Sequence, residues 1–131
     1  MANILSLGLD ASLMETRHKV LERTGARVLS TTPELAFRML GELQFAVVVI
    51  CHTVSEEDIV NLCRLVERFC PCSRVVVLET HASSFLGCDR SLAFDWHRGP
   101  NAFVELVRDL LTMPIPRLAQ DLVPLTETQA A

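Results

Sequence analysis

Short apolar runs alternate along the chain with longer stretches in which apolar residues recur every three or four positions. The first run, Ile4 to Leu9, is short and continuous and predicts a strand. Residues 11–24 then carry Leu13, Met14, His18, Val20 and Leu21 with charges between them, which is helical spacing, and Gly25 stops the helix. A brief strand follows over Ala26 to Ser30. Thr31-Thr32-Pro33-Glu34 opens a second helix, with Thr32 as the expected cap, Pro33 in the first turn and Glu34 at the positive end of the dipole. The run Phe45 to Ile50 is β-branched and unbroken, as expected of a strand buried on both faces.

The second half repeats the alternation. Ser55-Glu56-Glu57-Asp58 reads as a helix start, with Ser55 as cap and Asp58 in the capping-box position. That helix runs through Ile59, Leu62, Leu65, Val66 and Phe69 until Pro71. Arg74 to Leu78 is a further buried strand, residues 81–91 carry no clear period, and Leu92 to Trp96 is a fifth strand. Gly99-Pro100-Asn101 leads into a last helix with Phe103, Leu106, Val107, Leu110 and Leu111 on one face. Strand–helix alternation with short connections predicts an α/β fold, a doubly wound, five-stranded parallel sheet of flavodoxin-like order. The domain is expected over residues 1–113. Pro114, Pro116 and Pro124 set apart a C-terminal tail, 114–131, unusually apolar for a free end through Ile115, Leu118, Leu122, Val123 and Leu125. Such a tail is expected to pack on its own domain or on a partner subunit.

Composition narrows the function classes. With 131 residues and half of them apolar, the chain can bury one core. A net charge of −4 gives no basic face for nucleic acid and argues against anionic membranes. No run approaches the ~20 apolar residues of a spanning helix, and MANILSLGLD lacks the basic start of a signal peptide, so a cytoplasmic location is expected. The five cysteines, Cys51, Cys63, Cys70, Cys72 and Cys88, suggest packed thiols rather than a disulfide scaffold. Cys70-Pro71-Cys72 is one residue tighter than the usual metal or redox pair, and no second pair accompanies it.

Over about Asn3 to Leu111 the element order and lengths resemble a response-regulator receiver (CheY-like) domain. The resemblance is carried by ILSLGLDASLMETRHKVLE, by FAVVVIC and by Gly99-Pro100-Asn101 with Phe103-Val104-Glu105-Leu106. It implies a magnesium-binding acidic pair after the first strand and an aspartate phosphoacceptor ending the third. It also implies a Ser or Thr ending the fourth strand and a Lys ending the fifth. Here the acidic pair falls at Gly8 and Leu9, with Asp10 one step on as a helix cap. The acceptor falls at Cys51, the hydroxyl at Glu79 with Thr80 beside it, and the lysine near Trp96, with Arg98 two residues on. Neither Gly8 nor Leu9 supplies the oxygen ligands that a hard cation takes. The helix between the fourth and fifth strands is expected to be reduced, since residues 81–91 are few and include Gly87.

These departures point to a degenerate pseudo-receiver that is neither phosphorylated nor an enzyme. The expected function is regulatory, through a protein partner or self-association as a homodimer, with no cofactor and no bound metal. The alternative is a small-ligand or thiol redox sensor centred on Cys51. Cys51, His52, Glu79, Thr80, His81, Trp96 and His97 are expected to gather at the carboxyl ends of the strands. Nearby helix termini would there lower the thiol pKa of Cys51. Cys51 and His52 with His81 are the residues that zinc would need, although their spacing is not diagnostic.

Overall fold

The computed structural model describes residues 3–79 and 91–112, with the side chain of residue 79 outside the description. The strands are β1 (Asn3–Leu7), β2 (Arg27–Thr31), β3 (Val47–Ile50), β4 (Arg74–Glu79) and β5 (Ser91–Asp95). The helices are α1 (Ala11–Glu22), α2 (Pro33–Glu42), α3 (Glu56–Phe69) and α4 (Pro100–Thr112). The sheet order is β2-β1-β3-β4-β5 and every described pair is parallel. The direction of winding therefore reverses between β1 and β3, the place where such sheets open a crevice.

Side chains alternate across each strand, so neighbouring residues feed opposite cores. Leu5, Leu7, Val48, Ile50, Val75 and Val77 pack with Ala36 and Leu40 of α2 and Ile59, Leu62 and Val66 of α3. Ile4, Val47, Val49, Val76 and Leu78 pack with Met14 and Leu21 of α1 and Phe103, Val107 and Leu110 of α4. β3 is buried along its whole length, as its unbroken apolar run predicts. Ser6 is the polar exception inside β1, fully buried with no partner for its hydroxyl among the described residues.

Local signals set the helix starts. Asp10 Oδ1 accepts from Leu13 N at 3.1 Å, and Ser55 Oγ accepts from Asp58 N at 3.2 Å. Glu56, Glu57 and Asp58 sit in the first turn of α3 and Arg68 in its last, in keeping with the helix dipole. Thr32 departs from expectation: it precedes α2 in extended conformation but its side chain makes no capping bond. The preset φ of Pro33 and the Glu34 carboxylate mark that start instead.

Several boundaries differ from the apolar runs. β1 ends at Leu7, because Gly8 and Leu9 turn out of the sheet and leave Leu9 62% exposed. β3 begins at Val47, although Phe45 is buried in the core just before it. α1 ends at Glu22, with Gly25 at φ 89° in the left-handed region. Trp96 leaves β5 for a 3-10 turn, Trp96–Arg98, that Asp95 caps through His97 N. The expected reduction of the helix between β4 and β5, and the tail from Met113 onward, lie outside the described residues.

Leu62 is fully buried between α3 and the sheet, whereas Leu35 on α2 is half exposed. Leu62→Ala is expected to cost about 2–5 kcal/mol in urea unfolding. Leu35→Ala is expected to stay within about 0.5 kcal/mol. Similar losses at both positions would show that the assignment of faces is wrong.

Candidate functional site at the carboxyl ends of the strands

The register sets Leu7 of β1 beside Ile50 of β3, so Gly8 and Cys51 leave the sheet side by side. Cys51 N donates to Leu7 O at 2.8 Å, which continues the ladder by one bond. Leu9 N donates to Thr53 Oγ1 at 3.0 Å and ties the two exit loops together. Gly8 is closely approached by the side chains of Met14 and Cys51. A Cβ placed there would lie 2.5 Å from Met14 Sδ and 3.1 Å from both Cβ and Sγ of Cys51. A side chain at this position, which resembles half of an acidic pair, would require Met14 to shift and Cys51 to give by a few tenths of an ångström.

Arg17 fills the space above Cys51. It sits on the inward stripe of α1 with Met14 and Leu21, at spacings of three and four residues, and is 1% exposed. Arg17 Nη1 donates to Cys51 Sγ at 2.9 Å, and the Cys51 thiol faces Met14 Sδ at 3.6 Å as a donor. The guanidinium carbon lies 4.6 Å from the centroid of the Trp96 ring, a cation–π contact. Trp96 packs edge-on against Phe103 of α4 at 5.3 Å, and Phe103 meets Phe94 of β5 at 5.4 Å. Arg98 lies over the outer ring, 5.1 Å from the Phe94 centroid. One side chain of α1 thus joins the exit of β3 to the aromatic packing of β5 and α4.

The electrostatics follow from this packing. Burial pushes the Cys51 thiol pKa up, the Arg17 charge and hydrogen bond oppose it, and Asp10 adds to the rise. The lowering expected from helix termini is therefore overturned, because desolvation of a nearly enclosed thiolate outweighs the nearby positive charge. His52, beside it but exposed, is pushed down by partial desolvation and by Arg17, with Asp10 opposing. No three His, Cys, Asp or Glu side chains converge on a metal site among the described residues.

The expected gathering of polar groups is therefore partial. Cys51 and Trp96 meet through Arg17, and His52 and Asp10 stand at the rim. Leu9 points to solvent, and Asp10 is engaged in capping α1. His97 is exposed and turns to Asp95, with Nδ1 to Oδ1 at 3.1 Å, so it does not join the site. Glu79 ends β4 in register with Asp95, while Thr80 and His81 lie outside the described residues. Arg17 is the residue that sequence reasoning missed. Its signal was a cation in the Met14-Arg17-Leu21 stripe, where an apolar residue belongs.

The sheet order, the layers and the crevice at the ends of β1 and β3 define an α/β domain with the fold of response-regulator receivers. A response regulator receiver protein from Sinorhizobium medicae superposes with a TM-score of 0.73 at 20% identity, over 84% of this chain and 94% of that one. The receiver domain of a sensor histidine kinase from Pseudomonas aeruginosa, with magnesium in its active-site cleft, gives 0.73 at 10% identity, over 86% and 98%. A protein described as pilus assembly-related from Burkholderia pseudomallei gives 0.69 at 20% identity, over 85% and 90%. No protein-family model and no curated protein matches the chain.

Two outcomes test this geometry. Arg17→Ala opens a void between Cys51 and Trp96, and is expected to cost about 2–4 kcal/mol and to red-shift the emission of Trp96. An unchanged spectrum would mean that Arg17 does not cover the indole. The second concerns alkaline pH. A thiol raised in the folded state adds stability that is full below its unfolded pKa and lost as pH rises through the folded one. Stability should therefore fall on the alkaline side of the ordinary thiol pKa of 9.0. Burial raises Cys70 as well, so Cys51→Ala should make that fall shallower without abolishing it. An identical slope in the variant would mean that Cys51 is not buried in this way.

Proposed function

We propose that this domain is a phosphorylation-independent, receiver-like regulatory module that acts by binding protein, either a partner or a second copy of itself. The observation that carries this reading is the Arg17 Nη1 to Cys51 Sγ contact of 2.9 Å between two side chains each 1% exposed. Phosphoryl transfer to an aspartate needs a metal and a carboxylate at this place. Here the place is taken by a thiol, a glycine closely approached by Met14 and Cys51, and a buried guanidinium. In this reading Gly8, Leu9, Asp10, Cys51, Glu79, Thr80 and Trp96 are the degenerate counterparts of the receiver pocket. The domain spans 1–113, works in the cytoplasm without cofactor, and exposes helix faces for recognition.

The same fold is shared with response regulators and with a pilus assembly-related protein, so fold alone does not select phosphotransfer. The thiol-sensor reading is less well supported. Its reactive species is the thiolate, which burial at Cys51 disfavours.

The wild-type chain incubated with acetyl phosphate and Mg²⁺ is expected to show no phosphoryl adduct by intact mass. Cys51→Asp is expected to remain unlabelled too, because the new carboxylate would face Arg17 rather than a metal. A phosphoryl adduct on the wild-type chain would overturn the reading. Labelling of Cys51→Asp alone would place the block in the missing carboxylate and not in Arg17.

A further inference from the structure

A cleft of about 540 Å³ lies between α1 and the end of β2, a size that suits a small organic ligand. Gly8, Leu9, Ala11 and Met14 supply the apolar part of its lining. Three polar side chains of the same lining form a relay. Ser30 Oγ lies 2.7 Å from His18 Nδ1, and His18 Nε2 lies 3.4 Å from Glu22 Oε2. A hydroxyl, an imidazole and a carboxylate in series are the parts of an activated serine nucleophile. Neither Cys51 nor Arg17 lines this cleft, so the relay is separate from their buried contact.

The fold places each member. His18 and Glu22 stand one turn apart on α1, at the spacing where side chains meet. Ser30 follows Val28 by two residues on β2, so it shares the face on which Val28 packs with Met14 and Leu21 of α1. Val28 is buried under the helix, whereas Ser30 is exposed and open to the cleft. Protonation of the ring follows from its partners. An ionised carboxylate only accepts, so Glu22 takes the Nε2 proton and leaves the Nδ1 lone pair for the Ser30 hydroxyl. The backbone adds one more donor. Thr31 O accepts from Gly8 N, so Thr31 faces β1. Backbone groups alternate along a strand, so the Ser30 N–H turns to the outer edge, where β2 ends the described sheet.

We propose that Ser30 is a nucleophile toward carboxylic esters with a short apolar acyl group, with His18 as its base and Glu22 as a positioning residue. The acyl chain rests on Leu9 and Met14. Ser30 Oγ bonds to the carbonyl carbon while its proton passes to His18 Nδ1, and the Ser30 N–H donates to the developing oxyanion. The bond to the leaving oxygen then breaks, and that oxygen departs as the alcohol with the proton from His18. Water, giving its proton to His18 in the same way, attacks the acyl-serine. The carboxylic acid leaves and the proton returns to Ser30 Oγ. This role departs from the expectation that the chain is no enzyme. It does not rest on phosphorylation independence, and either can fail without the other.

The test is hydrolysis of para-nitrophenyl butyrate by the full chain, with peptide mass spectrometry of the quenched protein. The wild-type chain is expected to release nitrophenolate and to carry a butyryl group on Ser30. Ser30→Ala should lose that adduct, and its kcat/KM should fall about 10²-fold. His18→Gln should lower kcat by a similar factor with KM little changed. Glu22→Gln should lower kcat less, and the ¹⁵N shifts of His18 should move from one tautomer toward a mixture of two. Ser30 is exposed, so its variant is expected to keep the wild-type circular dichroism and melting temperature. Release no faster than in buffer would overturn the proposal. Release equal in wild type and Ser30→Ala, or butyryl groups on other residues only, would overturn it equally.

Discussion

Arg17 carries a charge into a place where water does not follow, and the neighbouring parts of the domain are arranged around it. Taking a cation out of water costs several kcal/mol, which packing alone does not return. A guanidinium tolerates this better than an ammonium, because its charge is delocalised and its flat face can stack. The Cys51 sulfur accepts one of its protons, and the guanidinium carbon lies over the Trp96 ring. The Cys51 thiol then has its own acceptor in Met14 Sδ, which suits a protonated sulfur. Each of these contacts comes from a different part of the fold: α1, the exit of β3, and the turn after β5.

That arrangement changes what the carboxyl end of the sheet can do. In a receiver, the resemblance implies a cation that comes and goes and a phosphate that is added and removed. Here the cation is part of the chain. Gly8 is pressed against Met14 and Cys51, so a carboxylate at that position has no room without moving both. Burial raises the thiol pKa, which disfavours the thiolate that nucleophilic chemistry at Cys51 would need. The same contacts connect α1 through Trp96 and Phe103 to α4.

Much of the fold was legible because its signals are local and repeated. The β-branched run before Cys51 could only be a buried strand, and Ser55 with three acids after it could only open a helix. The register that brings Gly8 beside Cys51 then follows from parallel pairing. The content of the site was less legible. Trp96 at the expected lysine position looks like simple loss until Arg17, reaching from another element, is found stacked on it. Arg17 itself resembles a surface cation unless its place on the Met14–Leu21 stripe is weighed against its charge. The Cys51 thiol was misjudged in the opposite sense: helix termini suggested a lowered pKa, but how deeply a side chain is enclosed depends on tertiary packing that no local pattern records.

The most direct test of the account is the side-chain Nε–Hε resonance of Arg17 in the full chain, observed by NMR. A guanidinium enclosed against Trp96 predicts a single signal displaced by the ring current, in slow exchange with water, that returns toward its ordinary position in Trp96→Leu. A signal at the ordinary arginine position, exchanging quickly and indifferent to Trp96→Leu, would contradict the claim that a fixed cation occupies the place of the receiver switch.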